Sequence, residues 1–215
     1  MTAQKNKQGS EIVKSRSVFG IIETSEVIFN PRPTYNIRND CQLGQWKRGE
    51  SELKGNFLNV SLLHAKNFYG ELGKSRSNWL QLWFVGIPSE DKLPRNTVCC
   101  TYLKTRSLDD LSGKMVDLMT QEKDPGTLVF SASFEKHSGD MGNYFSVSWK
   151  EREREGQEEL DQLELIYQFM QEKPTFVDTS KPATLVCTNG MTQESIDSLD
   201  ATIDAVKESI AEAKS

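Results

Sequence analysis

The sequence is poor in the side chains that most often build catalytic and metal centres. Its 215 residues include only two histidines and four cysteines, and no two cysteines stand in a CxxC pair. A structural zinc site needs four such ligands at close spacing, so we expect no metal site, no cofactor and no scaffold of disulfides. No GxxxxGK[ST] or GxGxxG segment is present that would hold a phosphate.

Long apolar runs are also missing. No stretch approaches the roughly 20 apolar residues that a membrane-spanning helix requires, and the N-terminal residues 1–17 are polar, without the apolar centre of a signal peptide. We therefore expect a cytoplasmic protein that begins with a flexible basic arm at 1–17. The length suits one domain with extensions, or two small domains.

The net charge of −5 is unevenly distributed. Residues 151–215 carry 6 Lys and Arg against 15 Asp and Glu, whereas residues 1–150 carry 20 against 16, a balance of −9 beside one of +4. A basic body with an acidic C-terminal region favours a polyanionic partner for the body. The alternative is that the C-terminal helices simply expose many acidic residues to solvent.

Alternating apolar residues predict five strands between residues 57 and 150. The segments FLNVSLLHAK (57–66), NWLQLWFV (78–85) and NTVCCTYLKT (96–105) each read as a strand, and the residues 67–77 between the first two read as a loop. Residues 127–136 and 144–150 read as two further strands, joined by a hairpin loop at 137–143. Within 78–85, Leu80, Leu82 and Phe84 share one face, while Trp79 and Trp83 share the other.

A helix is predicted between the third and fourth strands. Ser107 and Asp110 form a capping box at its start, and Leu108, Leu111 and Met115 continue at helical spacing. Two more helices are expected in the C-terminal region. The first has its apolar stripe at Leu160, Leu163, Tyr167 and Met170; the second begins near Thr192, with apolar residues at Ile196, Leu199, Ile203, Val206 and Ile210.

The order strand, strand, strand, helix, strand, strand resembles the OB-fold single-stranded DNA-binding proteins of bacteria, phages and plasmids. The resemblance is one of architecture, covers residues 57–150, and carries no sequence motif specific to that family. The predicted fold is mainly β with helices, an OB-like five-stranded barrel (β-β-β-α-β-β) with extensions on both sides. The domains are the arm at 1–17, an N-terminal β extension at 18–56, the OB-like barrel at 57–150 and an acidic helical region at 151–215.

The resemblance implies that single-stranded nucleic acid binds to strands two and three and to the loops beside them. Cations in such a site contact phosphates, and aromatic rings stack on bases. The residues that match these positions are Lys66, Phe68, Tyr69, Lys74, Arg76, Trp79, Trp83, Arg95, Tyr102, Lys104, Arg106, Lys136 and Tyr144.

Several of these residues also have a plain structural explanation. The alternative for Phe68 and Tyr69 is that they pack into the edge of a core, and Trp83 is better explained by a second core, covered by the N-terminal strand or by a C-terminal helix. Cys99 and Cys100, on opposite faces of one strand, read as small apolar residues. We expect no enzyme, because neither histidine stands in a recognisable arrangement with a nucleophile.

The sequence thus favours a non-enzymatic, sequence-tolerant binding protein for single-stranded nucleic acid, with DNA preferred and RNA not excluded. Such a protein would act in replication, recombination or mobile-element biology. The alternative is a structural or assembly protein, of phage origin for example, that forms homo-oligomers or binds a protein partner through its C-terminal helix. No membrane partner is expected.

Overall fold

The computed structural model describes residues 16–17, 20–21, 27–72, 76–139, 142–176, 185–199 and 202–204. Its strands are β1 (Arg16–Ser17), β2 (Gly20–Ile21), β3 (Tyr35–Asn36), β4 (Arg38–Asp40), β5 (Gln45–Arg48), β6 (Glu52–Leu53), β7 (Phe57–Glu71), β8 (Arg76–Gly86), β9 (Cys99–Lys104), β10 (Val129–Gly139), β11 (Gly142–Arg152) and β12 (Leu185–Cys187). Its helices are α1 (Thr105–Thr120), α2 (Gly156–Glu172) and α3 (Gln193–Asp197), with a 3-10 turn at Pro125–Thr127.

One sheet contains most of the strands. Their order is β11-β10-β7-β8-β9-β3, with β12 as an additional neighbour of β7, and among the described strands β3 and β9 are the one parallel pair. Strands β4, β5 and β6 form a separate antiparallel sheet, and β1 pairs with β2. The chain is mainly β with helices, as predicted, and the predicted order of five strands and a helix is present as β7, β8, β9, α1, β10 and β11.

The main sheet is open between β9 and β11. Within the described residues, β11 pairs with β10 alone. The backbone N–H groups on its other edge therefore need hydrogen-bond acceptors from outside the sheet. Three alternate N–H groups in the middle of that edge each donate to a group outside the sheet, over 2.8–2.9 Å. The pairs are Phe145 N–H to the carbonyl of Cys41, Val147 N–H to Oγ of Ser107, and Trp149 N–H to Oδ2 of Asp110.

The predicted capping box is therefore wrong. The helix α1 begins two residues earlier, at Thr105, with Lys104 as its N-cap residue and no side-chain cap. Ser107 and Asp110 both turn towards β11 because unpaired backbone N–H groups beside the core cost more free energy than a solvated helix end.

The main core lies between the inner face of the sheet and α1. Leu80, Leu82 and Phe84 all belong to it, which confirms the predicted alternation along β8. The strands β10 and β11 contribute Phe130 and Val147, both fully buried. This face is apolar at every second residue, which is the period of a strand with one buried side.

A second core covers the outer face of β8 and β9. Trp83 and Cys100 pack there against Ile28 from the N-terminal segment and against Ile166 and Phe169 from α2. Cys99 lies in the main core instead, so the two neighbouring cysteines do point to opposite faces. Both explanations for Trp83 apply together, since the N-terminal segment and a C-terminal helix each cover it.

The apolar stripe predicted for α2 is buried only in part: Leu163 and Met170 are half-buried, and Met170 packs against the second core. Leu160 is 49% exposed and Tyr167 is 41% exposed, while the buried residues are Glu159, Gln162, Ile166 and Phe169. Polar contacts set this rotation of the helix. Both oxygens of Glu159 accept from Arg152, at 2.6 and 2.9 Å, and Gln162 Nε2 donates to the carbonyl of Gly86.

The loop predicted at 67–77 is mostly strand. β7 continues to Glu71 and β8 begins at Arg76, since β7 gains β12 as a second neighbour beside residues 68–70. The hairpin predicted at 137–143 is likewise shorter, with β10 reaching Gly139 and β11 starting at Gly142.

In the described part of the chain, no helix has the length and apolar character needed to cross a membrane.

Candidate nucleic-acid interface

A cleft of about 620 Å³ lies on the outer face of β9, where β4 separates from it. Next to it, β3 pairs with β9, and the N–H of Ile37 still donates to the carbonyl of Cys100. One residue later β4 leaves to join β5, and the space that opens is the cleft. Ligand sites in proteins typically have volumes of about 300–1,000 Å³, so the cleft has the size of a ligand site.

Asn39 holds the two walls of the cleft together. Its Nδ2 donates to the carbonyl of Tyr102 at 2.7 Å and to Oγ1 of Thr101 at 3.2 Å. These bonds take the place of a backbone ladder between β4 and β9. The spacing of the two walls is therefore set by one side chain, and the cleft is built into the fold.

The β9 wall carries an aromatic ring and a cation from the predicted site. Tyr102 is half-buried and lines the cleft, beside Trp79 and Lys104. Nζ of Lys104 lies 5.1 Å from the centroid of the Trp79 ring, a cation–π distance. Burial, together with the nearby Cys100 thiol, raises the pKa of Tyr102, so its phenol stays protonated and able to form hydrogen bonds.

Trp79 itself offers little surface for stacking. It is 6% exposed, it packs against Phe68 and Leu185, and its Nε1 donates to the carbonyl of Gly70 at 3.1 Å. Phe68 is 3% exposed and Trp83 only 1%. None of these three rings is accessible for stacking on a base, because each is buried by the segments that cover the outer face; burial of Trp83 is also the interpretation that the sequence favours.

Two exposed cations stand at the cleft, Arg38 from β4 and Lys104 from β9. Neither forms an ion pair with any residue in the described ranges. The carboxylate of nearby Asp40, by contrast, is paired with Lys47 at 2.7 Å. Partial burial favours the protonated form of Asp40, but the Lys47 bond and the N–H groups of Leu43 and Gln42 outweigh it, so its pKa is lowered. The cations at the cleft are thus not neutralised by Asp40.

A second group of predicted residues meets where α1 begins. Nη1 of Arg106 lies 2.6 Å from Nδ1 of His137, and the His137 ring lies 5.2 Å from the ring of Tyr144. Arg106 follows Lys104 by two residues, so this group continues from the β9 end of the cleft. Lys136 pairs with Phe145 across the hairpin, and its side chain therefore points away from His137 and Tyr144.

The remaining predicted residues are not brought to the cleft. Arg95 precedes β9 near Phe29 and Asn96, at the opposite end of the strand from Lys104. Lys66 and Tyr69 lie within β7, half-buried. Arg76 forms an ion pair with Asp204 of the acidic C-terminal region. Lys74 lies outside the described residues.

The sequence did not point to the β4 side of the cleft. Residues 36–56 have no apolar period that would predict a strand, whereas the structure forms strand β5 at Gln45–Arg48 and places Gly49 and Glu50 in the turn that lines the cleft. Arg38, Asn39 and Glu50 were missed for that reason. No local sequence pattern identifies these three residues, because each belongs to the cleft only through its position beside β9, a strand distant in sequence.

The two neighbouring cysteines, Cys99 and Cys100, do not have the environment of catalytic thiols. Burial raises the pKa of Cys99 and of Cys100 to about 12, so both remain protonated and unreactive near neutral pH. The imidazole of His64 lies against Trp83, at 5.8 Å between ring centroids. Across the described residues, no group of three or more His, Cys, Asp or Glu side chains could hold a metal ion.

The site is thus a cleft with an aromatic wall and two cations. Out of the predicted set, Trp79, Tyr102 and Lys104 line it, whereas Arg106 and Tyr144 lie in the separate group around His137 at the start of α1. Neither a protein-family model, nor a curated protein, nor a solved structure matches this chain.

Proposed function

We propose that this protein binds single-stranded nucleic acid, with single-stranded DNA as its main ligand, and that the cleft between β4 and β9 is the centre of the binding surface. The observation that carries the proposal is the placement of Arg38 and Lys104, both exposed, beside the half-buried ring of Tyr102. Cations that track a backbone, next to a ring that a base can contact, suit a single strand.

The path of the strand follows from the charges. It runs from Arg38 across the cleft to Lys104, and then to Arg106 and the exposed ring of Tyr144. Phosphate contacts of this kind are independent of base sequence. Binding along most of the path is therefore sequence-tolerant, as a role in replication, recombination or mobile-element biology requires.

The order and pairing of the strands also support the proposal. We infer that β7 to β11 with α1 form an OB-like barrel that is left open between β9 and β11 and is filled there by α1 and the β4–β5 turn. OB-folds bind oligonucleotides on the face of their second and third strands. In this chain those strands are β8 and β9, and the cleft lies on β9.

The test is a titration with a fluorescent oligothymidylate at several salt concentrations. We expect binding that weakens steeply with salt, and a double variant Arg38→Ala/Lys104→Ala whose slope of log affinity against log salt is shallower by about 0.7 for each lost phosphate contact. Lys150→Ala is the matched control, since Lys150 is exposed on β11, away from the cleft. Absence of binding at low salt would refute the proposal. If the two variants have equal slopes, the strand does not contact Arg38 and Lys104 and binds to another part of the surface.

One observation favours an assembly role as a second candidate. Leu160 and Tyr167 lie two helical turns apart on the outer side of α2 and are about half exposed. Light scattering tests this role directly. A mass above that of one chain, reduced in the variant Leu160→Gln/Tyr167→Gln, would support self-association through α2, and an unchanged monomer mass would exclude it.

A further inference from the structure

The turn between β5 and β6 adds an anion to the cleft. Glu50 lines it opposite the aromatic wall and is exposed, and it is the one acidic residue among the described residues of the lining. A second glutamate two residues later, Glu52, forms ion pairs with Lys54 at 2.6 Å and with Arg48 at 3.5 Å. Glu50 has neither a hydrogen bond nor an ion pair with the described part of the chain, so its carboxylate is available to a ligand.

A carboxylate beside the cations is unexpected in a site that only holds phosphates, because it would repel them. It is useful if the cleft receives a base and the phosphates stay at its rim. An ionised carboxylate only accepts hydrogen bonds, through two oxygens. The base that it prefers is therefore one that presents two adjacent donors.

Guanine is the base with that edge. Its N1–H and N2–H groups lie side by side on the Watson–Crick edge, next to the O6 acceptor. Adenine and cytosine place a ring-nitrogen lone pair beside their single amino group, and thymine and uracil flank N3–H with two carbonyl oxygens. Single-stranded bases are read on this edge when they are unstacked by a protein, and Arg38 supplies a donor that suits O6.

We propose that the cleft between β4 and β9 is a guanine subsite, in which Glu50 accepts from N1–H and N2–H, Arg38 donates to O6 and Tyr102 contacts the base. This inference rests on the proposed function and adds one base-selective position to a path that is otherwise sequence-tolerant. A bidentate charge-assisted pair discriminates between bases by a factor of about ten or more.

The experiment compares the affinities of the protein for ligands that differ in one base, so that effects of charge common to all the ligands cancel. Nonamers of thymidine with one central dG, dA or dC are titrated against the full-length protein, and guanosine, adenosine, cytidine and uridine monophosphates compete with the labelled oligothymidylate. We expect the dG nonamer to bind about tenfold more tightly than the others, and guanosine monophosphate to be the strongest competitor. Glu50→Gln should abolish both differences, while Glu52→Gln should leave them intact.

The possible outcomes separate this inference from the proposed function. Tight binding of every nonamer with no preference for dG would overturn the guanine subsite and leave strand binding in place. A preference that survives Glu50→Gln would overturn the assignment of Glu50. If no oligonucleotide binds, but direct calorimetric titration shows that guanosine monophosphate binds the wild type and not Glu50→Gln, the guanine subsite is supported and the strand-binding function is refuted.

Discussion

The backbone N–H of Val147 on β11 donates a 2.9 Å hydrogen bond to Oγ of Ser107 on α1. Both residues are buried, and the bond lies at the open edge of the main sheet, where a neighbouring strand would otherwise supply a carbonyl. One turn further along α1, Asp110 accepts from Trp149 in the same way. The helix thus completes the sheet through side chains, and it protects an edge strand from pairing with another chain.

Removing the hydroxyl should therefore destabilise the protein. Ser107→Ala leaves the buried N–H of Val147 without an acceptor, and we expect a loss of about 1–3 kcal/mol in the free energy of unfolding. Urea denaturation followed by tryptophan fluorescence measures it. Ser112→Ala, at an exposed position of the same helix, is the control and should change stability by less than about 0.5 kcal/mol. Equal effects of the two changes would show that the edge bond contributes nothing.

The assignment of the two faces of β10 can be tested by introducing a charge. Phe130 is fully buried in the main core, and Phe130→Asp should prevent folding because an unpaired carboxylate has no partner there. The same reasoning applies to Leu82→Asp on β8. Ser133→Asp, on the outer face of β10, should be tolerated. Circular dichroism and gel filtration report the result, and intolerance at Ser133 would mean that its face is covered.

The contact between Arg76 and Asp204 predicts competition between the acidic C-terminal region and nucleic acid. Asp204 pairs with Arg76 at the start of β8, which lies outside the cleft and would contact a strand that extends beyond it. Asp204→Ala should therefore tighten binding of oligothymidylate a few-fold at low salt, with the gain disappearing at high salt, where charges are screened. Deletion of residues 192–215 should have a larger effect in the same direction.

Asp197→Ala is the control for this competition. Like Asp204→Ala, this variant removes one negative charge. The carboxylate of Asp197 lies on α3 and accepts a hydrogen bond from Gln193. Equal gains from both variants would indicate a general effect of charge, and no gain from either the point variant or the deletion would leave the C-terminal region as a packing element. A lower oligomeric mass on deletion, without any nucleic-acid binding, would favour the assembly role.

The buried thiols predict a loss of stability in alkaline solution. Cys99 and Cys100 have pKa values raised by burial from 9.0 to about 12. Because the folded pKa exceeds the unfolded one, each thiol's contribution is fully present below about pH 9 and is lost as the pH rises towards 12. Between about pH 8 and about pH 10, each thiol should cost on the order of 1 kcal/mol of stability.

Other groups also titrate in this range, so the informative quantity is a difference. The double variant Cys99→Ala/Cys100→Ala should lose about 2–3 kcal/mol less than the wild type over the same interval in urea denaturation. A parallel decline in both proteins would show that the two thiols do not control alkaline stability. Iodoacetamide gives an independent check, since exposed Cys187 should react in the native protein and the two buried thiols should not.

The sequence by itself determined the strands whose side chains alternate and the order in which they follow one another. Leu80, Leu82 and Phe84, or Phe130 and Ala132, lie together in the main core because every second side chain of a strand points to the same face, and this period can be read without knowing the partner strand. It also determined which residues are cationic, and hence that Lys104 and Arg106 are candidates for phosphate contacts.

Only the tertiary structure decided which face of α2 is buried, where β7 ends and which aromatic rings are accessible. Glu159 and Gln162 set the rotation of α2 through Arg152 and Gly86, and β12 extends β7 from more than a hundred residues away. The cleft has the same origin, since Arg38, Asn39 and Glu50 face β9 only because β4 leaves the sheet beside it. Local sequence reports the periodicity of a segment, whereas a site made by separate segments depends on long-range contacts that no local pattern contains.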